Sequence, residues 1–127
     1  MTQLQNFIAI LNLNLKINSF YFKFKKTKFI LRIVKLLIKN NYFIGYKFCK
    51  IDPTKLIIFF KLNFEKTRPF MLSCVQVSRP NRVVFIKCNQ WSQSSSSLLI
   101  LSTTRGLMTN REAWMYRLGG IALCKIT

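Results

Sequence analysis

The chain reads as an α+β protein made of two small subdomains. The first is an N-terminal αβαββ part over residues 1–66, and the second a mostly antiparallel β part over residues 67–127 with a short helix before its last strand. Three observations predict this. Two apolar stripes at helical spacing lie near the N-terminus with an alternating aromatic-lysine run between them. The turn pairs Asp52-Pro53 and Pro80-Asn81 each separate two apolar runs. A capped helix start at Thr109 is followed by Gly119-Gly120 and a closing apolar segment.

In the first half, Leu4, Phe7, Ile8, Leu11 and Leu15 recur at helical spacing and predict a helix over residues 3–16. Residues 20–25 end in phenylalanine-lysine alternation, the pattern of a strand with one wet face. Thr27 is placed to cap a second helix over residues 28–40, with Phe29, Ile30, Ile33, Leu36 and Leu37 on one side. Lys28, Arg32, Lys35 and Lys39 fall on the other, as an ordinary solvated face or as a ridge facing phosphates. Residues 43–50 and 55–62 bracket Asp52-Pro53 as an antiparallel hairpin, and the polar stretch 63–69, ending in proline, holds the subdomain boundary.

The second half opens with a strand over residues 70–77 leading into Ser78-Arg79-Pro80-Asn81-Arg82, a turn from which residues 83–86 return as its partner strand. Arg79 and Arg82 flank that turn. Residues 90–97, with four consecutive serines, form a low-complexity loop. The apolar run 98–101 then ends at Ser102-Thr103-Thr104-Arg105-Gly106, presented at a strand end. Thr109-Asn110-Arg111-Glu112 fits the capping box, in which the threonine oxygen accepts the Glu112 N–H and the Glu112 carboxylate accepts the Thr109 N–H. The helix from Asn110 is expected to stop near Leu118 at the twin glycines, with residues 121–126 as the terminal strand.

Charge narrows the function. Lys and Arg number 21 against three acids, Asp52, Glu65 and Glu112, giving a net charge of +18. Such an excess repels itself and calls for a polyanionic partner, nucleic acid or anionic lipid. Half the residues are hydrophobic, so the chain is not a disordered basic tail. The absence of histidine removes histidine bases, Ser/His or Cys/His pairs and histidine metal ligands. The three carboxylates are far apart in sequence. Cys49, Cys74, Cys88 and Cys124 lack C-x-x-C spacing and read as reduced core thiols, with a zinc site as the alternative. No phosphate-binding glycine motif occurs. Catalysis, cofactor, metal and small-molecule substrate are therefore not expected. No apolar run reaches the ~20 residues a membrane span needs. The first helix has Lys16 as its first basic residue, unlike a cleavable transit peptide.

The ordered set Ser102-Thr103-Thr104-Arg105-Gly106-Leu107-Met108-Thr109-Asn110-Arg111-Glu112-Ala113, then Gly119-Gly120 and Leu123-Cys124, with Val77-Ser78-Arg79-Pro80 upstream, closely resembles the universal small-subunit ribosomal protein eight family of bacterial type. Thr27-Lys28-Phe29 and Tyr42-Phe43-Ile44-Gly45-Tyr46 resemble its N-terminal half by pattern. The resemblance implies that the hydroxyl turn lies against a stem of the small-subunit rRNA central domain. It also implies that Ser78 and Arg79 lie near rRNA, and that Thr27 and Lys28 are further contacts. The sequence departs from the family at Thr104, where serine is usual, at Asn110, where aspartate is usual, at Ile121, where glutamate follows the glycines, and in the serine-rich loop. Trp114 and Tyr116 stand where the family is basic or small, and either pack against protein or stack on a base.

These residue types suit that chemistry. Hydroxyls donate to phosphate or a ribose 2′-OH and accept from base amino groups, all displayed along the shallow groove of an A-form stem. Gly106 allows close backbone approach, and Arg105 and Arg111 offer planar forks for phosphate. Lysines of the first half add affinity by counterion release, with Lys28, Arg32 and Lys35 as the candidate ridge, and Arg79 and Arg82 are expected to contact phosphate or sugar. The expected role is a structural constituent of the small ribosomal subunit, partnered by rRNA and neighbouring subunit proteins. An RNA-binding module outside the ribosome and a peripheral membrane protein are the alternatives. Abundant Phe, Ile, Lys, Asn and Tyr point to an AT-rich coding genome. With the bacterial-type resemblance, this points to a mitochondrial ribosome in the matrix, with a plastid or a bacterial cytoplasm as alternatives.

Overall fold

A computed structural model of the chain describes residues 2–63, 65, 68–71, 73–79, 81–87 and 98–127. The serine-rich loop, Pro80, Cys88 and part of the expected boundary stretch lie outside the described residues. The chain divides into two compact units, Thr2–Ser73 and Cys74–Thr127.

The first unit runs α1 (Thr2–Lys16), β1 (Tyr21–Lys25), α2 (Lys28–Lys39), β2 (Phe43–Phe48) and β3 (Lys55–Phe60), the expected αβαββ order. The three strands form an antiparallel sheet in the order β1-β3-β2. In β3 the alternation is complete: Leu56, Ile58 and Phe60 are buried while Lys55, Ile57 and Phe59 face outward. The inward residues meet an aromatic cluster in which Phe22 lies 5.2 Å from Phe60 and 5.7 Å from Phe7 between ring centroids, with Phe43 5.7 Å from Phe60. Leu11 of α1 and Ile30, Ile33, Val34 and Leu37 of α2 close over it. Each such side chain contributes ~1.5–3 kcal/mol on burial, which outweighs the weak helix propensity of the asparagines in α1.

Thr27 caps α2 as expected, its hydroxyl accepting the Ile30 N–H at 3.2 Å. Both helices stop by one device. Asn18 and Asn41 take left-handed backbones, at φ 56° and 66°. The Ser19 N–H then reaches the Asn14 carbonyl at 2.9 Å, and the Tyr42 N–H the Leu37 carbonyl at 3.0 Å. At the β2–β3 turn, Asp52 accepts the Thr54 N–H at 3.0 Å. A short hairpin of β4 (Leu62–Asn63) and β5 (Arg68–Pro69) follows, and the Phe70 N–H bonds the Lys61 carbonyl, tying this segment to the first unit.

The second unit contains β6 (Cys74–Gln76), β7 (Phe85–Ile86), β8 (Leu98–Thr103), β9 (Gly106–Thr109), α3 (Asn110–Met115) and β10 (Gly120–Ile126). The terminal strand β10 is central. It pairs with β8 along one edge, while its other edge takes β7 at Gly120 and Ile121 and β6 at Cys124 to Ile126. Ala122, Leu101 and Met108 form one row across β10, β8 and β9, and Ala113 of α3 packs with them. Val77, Ile86, Leu99 and Leu118 complete that cluster.

Four details differ from the sequence-based expectations. The strand expected over residues 70–77 is confined to Cys74–Gln76, because Phe70 is bonded to the preceding unit. Residues 83–86 do not return onto that strand; Phe85 and Ile86 pair with β10, which offers a longer edge. Between the hydroxyl turn and α3 lies a strand, β9, unmarked by any β-branched run. Finally, α3 ends at Met115 rather than near Leu118, and the left-handed residue is Arg117, at φ 55°, not a glycine. There the Leu118 N–H bonds the Ala113 carbonyl at 2.9 Å and the Arg117 N–H the Trp114 carbonyl at 3.1 Å. Gly119 and Gly120 serve packing instead: a Cβ on Gly119 would meet the Phe85 ring and the Ile86 carbonyl at 3.1 Å.

Candidate nucleic-acid interface

The β8–β9 hairpin carries the hydroxyl segment at its tip. Thr103 pairs with Gly106, leaving Thr104 and Arg105 as the connection, and neither has a positive φ. The chain reverses at Thr104 and Arg105, and Gly106 completes the turn at a φ of +106°, open to glycine and strained for other residues. Thr103 holds this reversal from within. Its hydroxyl donates to the Gly106 carbonyl at 2.9 Å and accepts the Arg105 N–H at 3.2 Å. Thr104, Arg105 and Gly106 are exposed and Ser102 is half-buried. Of the hydroxyls in the segment, Thr103 is thus a turn-forming group, while Thr104 projects from a fixed loop.

Arg105 is aimed by an aromatic. Its guanidinium lies 5.5 Å from the centroid of the Tyr116 ring at the end of α3. Stacking limits the rotamers of a charged fork that would otherwise sweep solvent. The sequence marks Tyr116 only as an unusual aromatic; its role depends on the hairpin folding back beside the helix. Thr109 caps α3, accepting the Glu112 N–H at 3.3 Å, which is one arm of the expected capping box. Arg111 in the first turn is exposed.

Ser78 occupies a different kind of position. It is 0% exposed; its hydroxyl donates to the Ala122 carbonyl and accepts the Val84 N–H at 3.0 Å. Its hydroxyl is thus engaged inside the fold. It joins Val84 to β10, where backbone groups leaving β6 need a partner. Arg79 and Arg82 form a reciprocal backbone bridge at 2.9 and 3.0 Å and are exposed. With Gln76, Val77 and Val84 they line an open cleft of about 360 Å³.

In the first unit, Lys28, Arg32, Lys35 and Lys39 are all exposed on α2, opposite the buried Ile30, Ile33, Val34, Leu36 and Leu37. Thr27 is half-buried by its capping bond. Its hydroxyl is engaged in starting the helix that carries the basic stripe.

Cys74 and Cys124 are buried neighbours. The hydrogen bond between their thiols, and then burial, push the Cys124 thiol well above its ordinary value. Among the described residues, no three of His, Cys, Asp or Glu come together to hold a metal. Among the same residues, no helix is long and apolar enough to cross a membrane.

Comparison with known proteins gives the family. The family model described as Ribosomal protein S8 matches residues 3–127. The chain is 27% identical over 130 residues to the small ribosomal subunit protein uS8m of Acanthamoeba castellanii, covering 99% of each chain. It is 30% identical over 97 residues to uS8 of Brucella ovis, covering 75% of this chain and 74% of that one. Against uS8 of Paramagnetospirillum magneticum it is 28% identical over 96 residues, 74% and 73% of the two chains. By a match that runs almost end to end, the chain belongs to the ribosomal protein S8 family.

Proposed function

We propose that this chain is a small-subunit ribosomal protein that binds a stem of the rRNA central domain directly and supports translation as architecture, without catalysis. The observation that carries this is the hairpin tip, where an exposed hydroxyl, a ring-stacked arginine and a left-handed glycine are fixed on two strands whose root is the centre of the second unit. Preorganised donors of this kind set register on a stem. The basic face of α2, with Arg79, Arg82 and Arg111, supplies attraction to phosphate. The family relationship supplies the particle. The whole-length match to uS8m of Acanthamoeba castellanii favours the mitochondrial ribosome, where neighbouring small-subunit proteins are the remaining partners.

The test is binding of the full chain to the central-domain stem of its own small-subunit rRNA and to a generic duplex of equal length. Replacing Ser102, Thr104 and Arg105 with alanine weakens the cognate stem about tenfold or more relative to the duplex. Equal losses on both would remove the hairpin from recognition. Sedimentation of organellar lysate places the chain with small subunits; recovery with free RNA or membranes alone would overturn the ribosomal assignment.

A further inference from the structure

The outward face of the β1-β3-β2 sheet carries an arrangement that the hairpin does not explain. Cross-strand partners in an antiparallel sheet project to one side, and successive rows on one face stand two residues, ~7 Å, apart. The register therefore lays out three rows. Tyr21 pairs with Phe59 beside Gly45; Lys23 pairs with Ile57, which pairs with Lys47; Lys25 pairs with Lys55. The first row is aromatic and the other two are rich in lysine.

Tyr21 is 49% exposed, Phe59 and Ile57 are half-buried, and Lys23, Lys25, Lys47 and Lys55 are exposed. The Tyr21 and Phe59 rings lie 6.2 Å apart, inclined at 46°, and the Lys47 Nζ stands 5.8 Å from the Phe59 centroid. Gly45 beside Phe59 adds no side chain, and a Cβ there would meet nothing within 4 Å, so the aromatic row is open on that side. None of the chain's three acids, Asp52, Glu65 and Glu112, belongs to these strands.

We propose that this sheet face binds an unpaired stretch of RNA, with a base against Tyr21 and Phe59 and the following phosphates on the lysine rows. A duplex keeps its base faces stacked internally and has no use for an exposed aromatic row. A single strand presents base and phosphate together, and aromatic faces flanked by cations are the sequence-tolerant way to hold it. An acidic protein would satisfy the lysines but leave the tyrosine-phenylalanine pair without a chemical complement. The proposal rests on the RNA-binding reading given above, and adds to it a second, single-stranded ligand.

The experiment uses the full chain and a labelled twelve-residue oligouridylate, with the cognate stem as reference. Tyr21→Leu keeps an apolar packing partner for Phe59 but removes the π face, whereas Tyr21→Phe keeps both. Tyr21→Leu weakens oligouridylate binding roughly fivefold or more and Tyr21→Phe leaves it within about twofold. The stem affinity of both variants stays at that of the parent chain. Lys23→Gln with Lys47→Gln lowers the salt slope for the oligonucleotide by about 1 to 1.5.

Unchanged oligouridylate binding in Tyr21→Leu overturns the proposal, as does an equal loss on stem and single strand. Ultraviolet crosslinking of intact subunits that joins Tyr21 to a protein instead of RNA also overturns it. The hairpin variants separate the two readings. If they fail to affect the stem while Tyr21→Leu still loses the single strand, the hairpin reading falls and this one stands.

Discussion

A Cβ on Gly120 would stand 2.6 Å from the Ser102 carbonyl oxygen and 2.8 Å from the Thr103 Cγ2, so the first residue of β10 lies flush against the root of the hydroxyl hairpin. Backbone cannot retreat as a flexible side chain can, and Ser102 is anchored on its other side by pairing with Leu107. Gly120→Ala therefore separates β10 from β8 at this point. It costs about 1–3 kcal/mol of stability, read by thermal denaturation, and lowers stem affinity with it. A melting temperature equal to the parent's would show that the strands part without strain.

On the proposed binding mode, adjacent threonines separate folding from recognition. The Thr103 hydroxyl bonds Gly106 and Arg105 within the turn, while Thr104 is exposed. Thr103→Ala destabilises the hairpin by about 1 kcal/mol. Thr104→Ala stays within about 0.5 kcal/mol of the parent in stability, yet weakens the cognate stem. The pair is checked by measuring denaturation midpoints and stem affinities side by side. Identical profiles for the two variants would deny the division of labour.

If the hairpin tip meets the stem as proposed, Tyr116 acts on RNA through Arg105. Tyr116→Leu retains bulk at an exposed position but removes the ring under the guanidinium. Stem affinity falls by about 0.5–1 kcal/mol, and in an Arg105→Ala background the same change has no further effect. Additive losses in that double-mutant cycle would mean that Tyr116 meets the RNA itself.

How much of this was legible in the residues follows from where the deciding interactions lie. Local rules located α1, β1, α2, β2 and β3, because apolar period, the Thr27 cap and the Asp52 turn act over a few residues. The same rules started α3 at Asn110 through the Thr109 cap. They failed where a distant partner decides. β7 joins β10 because Gly120 and Ile121 offer it an edge, and the sequence around Phe85 holds no trace of that edge. Ser78 belongs inside the fold only because Ala122, far along the chain, supplies its acceptor. The glycine pair illustrates the opposite error. A local reading makes both a helix stop, whereas the Phe85 ring beside Gly119 and the Ser102 carbonyl beside Gly120 are what require hydrogen there.

The stripe on α2 makes a prediction that a purely solvated face would not. Lys28 and Lys35 are exposed, and their uncharged replacements leave the apolar side of the helix untouched. Lys28→Gln with Lys35→Gln reduces the slope of log affinity against log salt by about 2 on the rRNA fragment, with stability unchanged within about 0.5 kcal/mol. Titrations at several salt concentrations measure it. A slope identical to the parent's would return these lysines to the ordinary surface.

Arg117 closes α3 in a conformation that α1 and α2 assign to asparagine. A side chain with a Cβ in the left-handed region costs ~1–2 kcal/mol, and glycine avoids that clash. The surrounding geometry already favours the motif, because Leu118 and Ala113 are bonded through backbone and share one apolar cluster. Arg117 is exposed, so its replacement removes little packing. Arg117→Gly therefore raises the stability of the chain by about 1 kcal/mol, after the greater freedom of glycine in the unfolded chain offsets part of the gain. Arg117→Asn gives a smaller increase and Arg117→Val a decrease, since a β-branched residue tolerates this region least. Chemical denaturation of the three variants checks the order Gly, Asn, Arg, Val from most to least stable. An arginine more stable than glycine here would mean that its side chain supplies a contact outweighing the backbone strain.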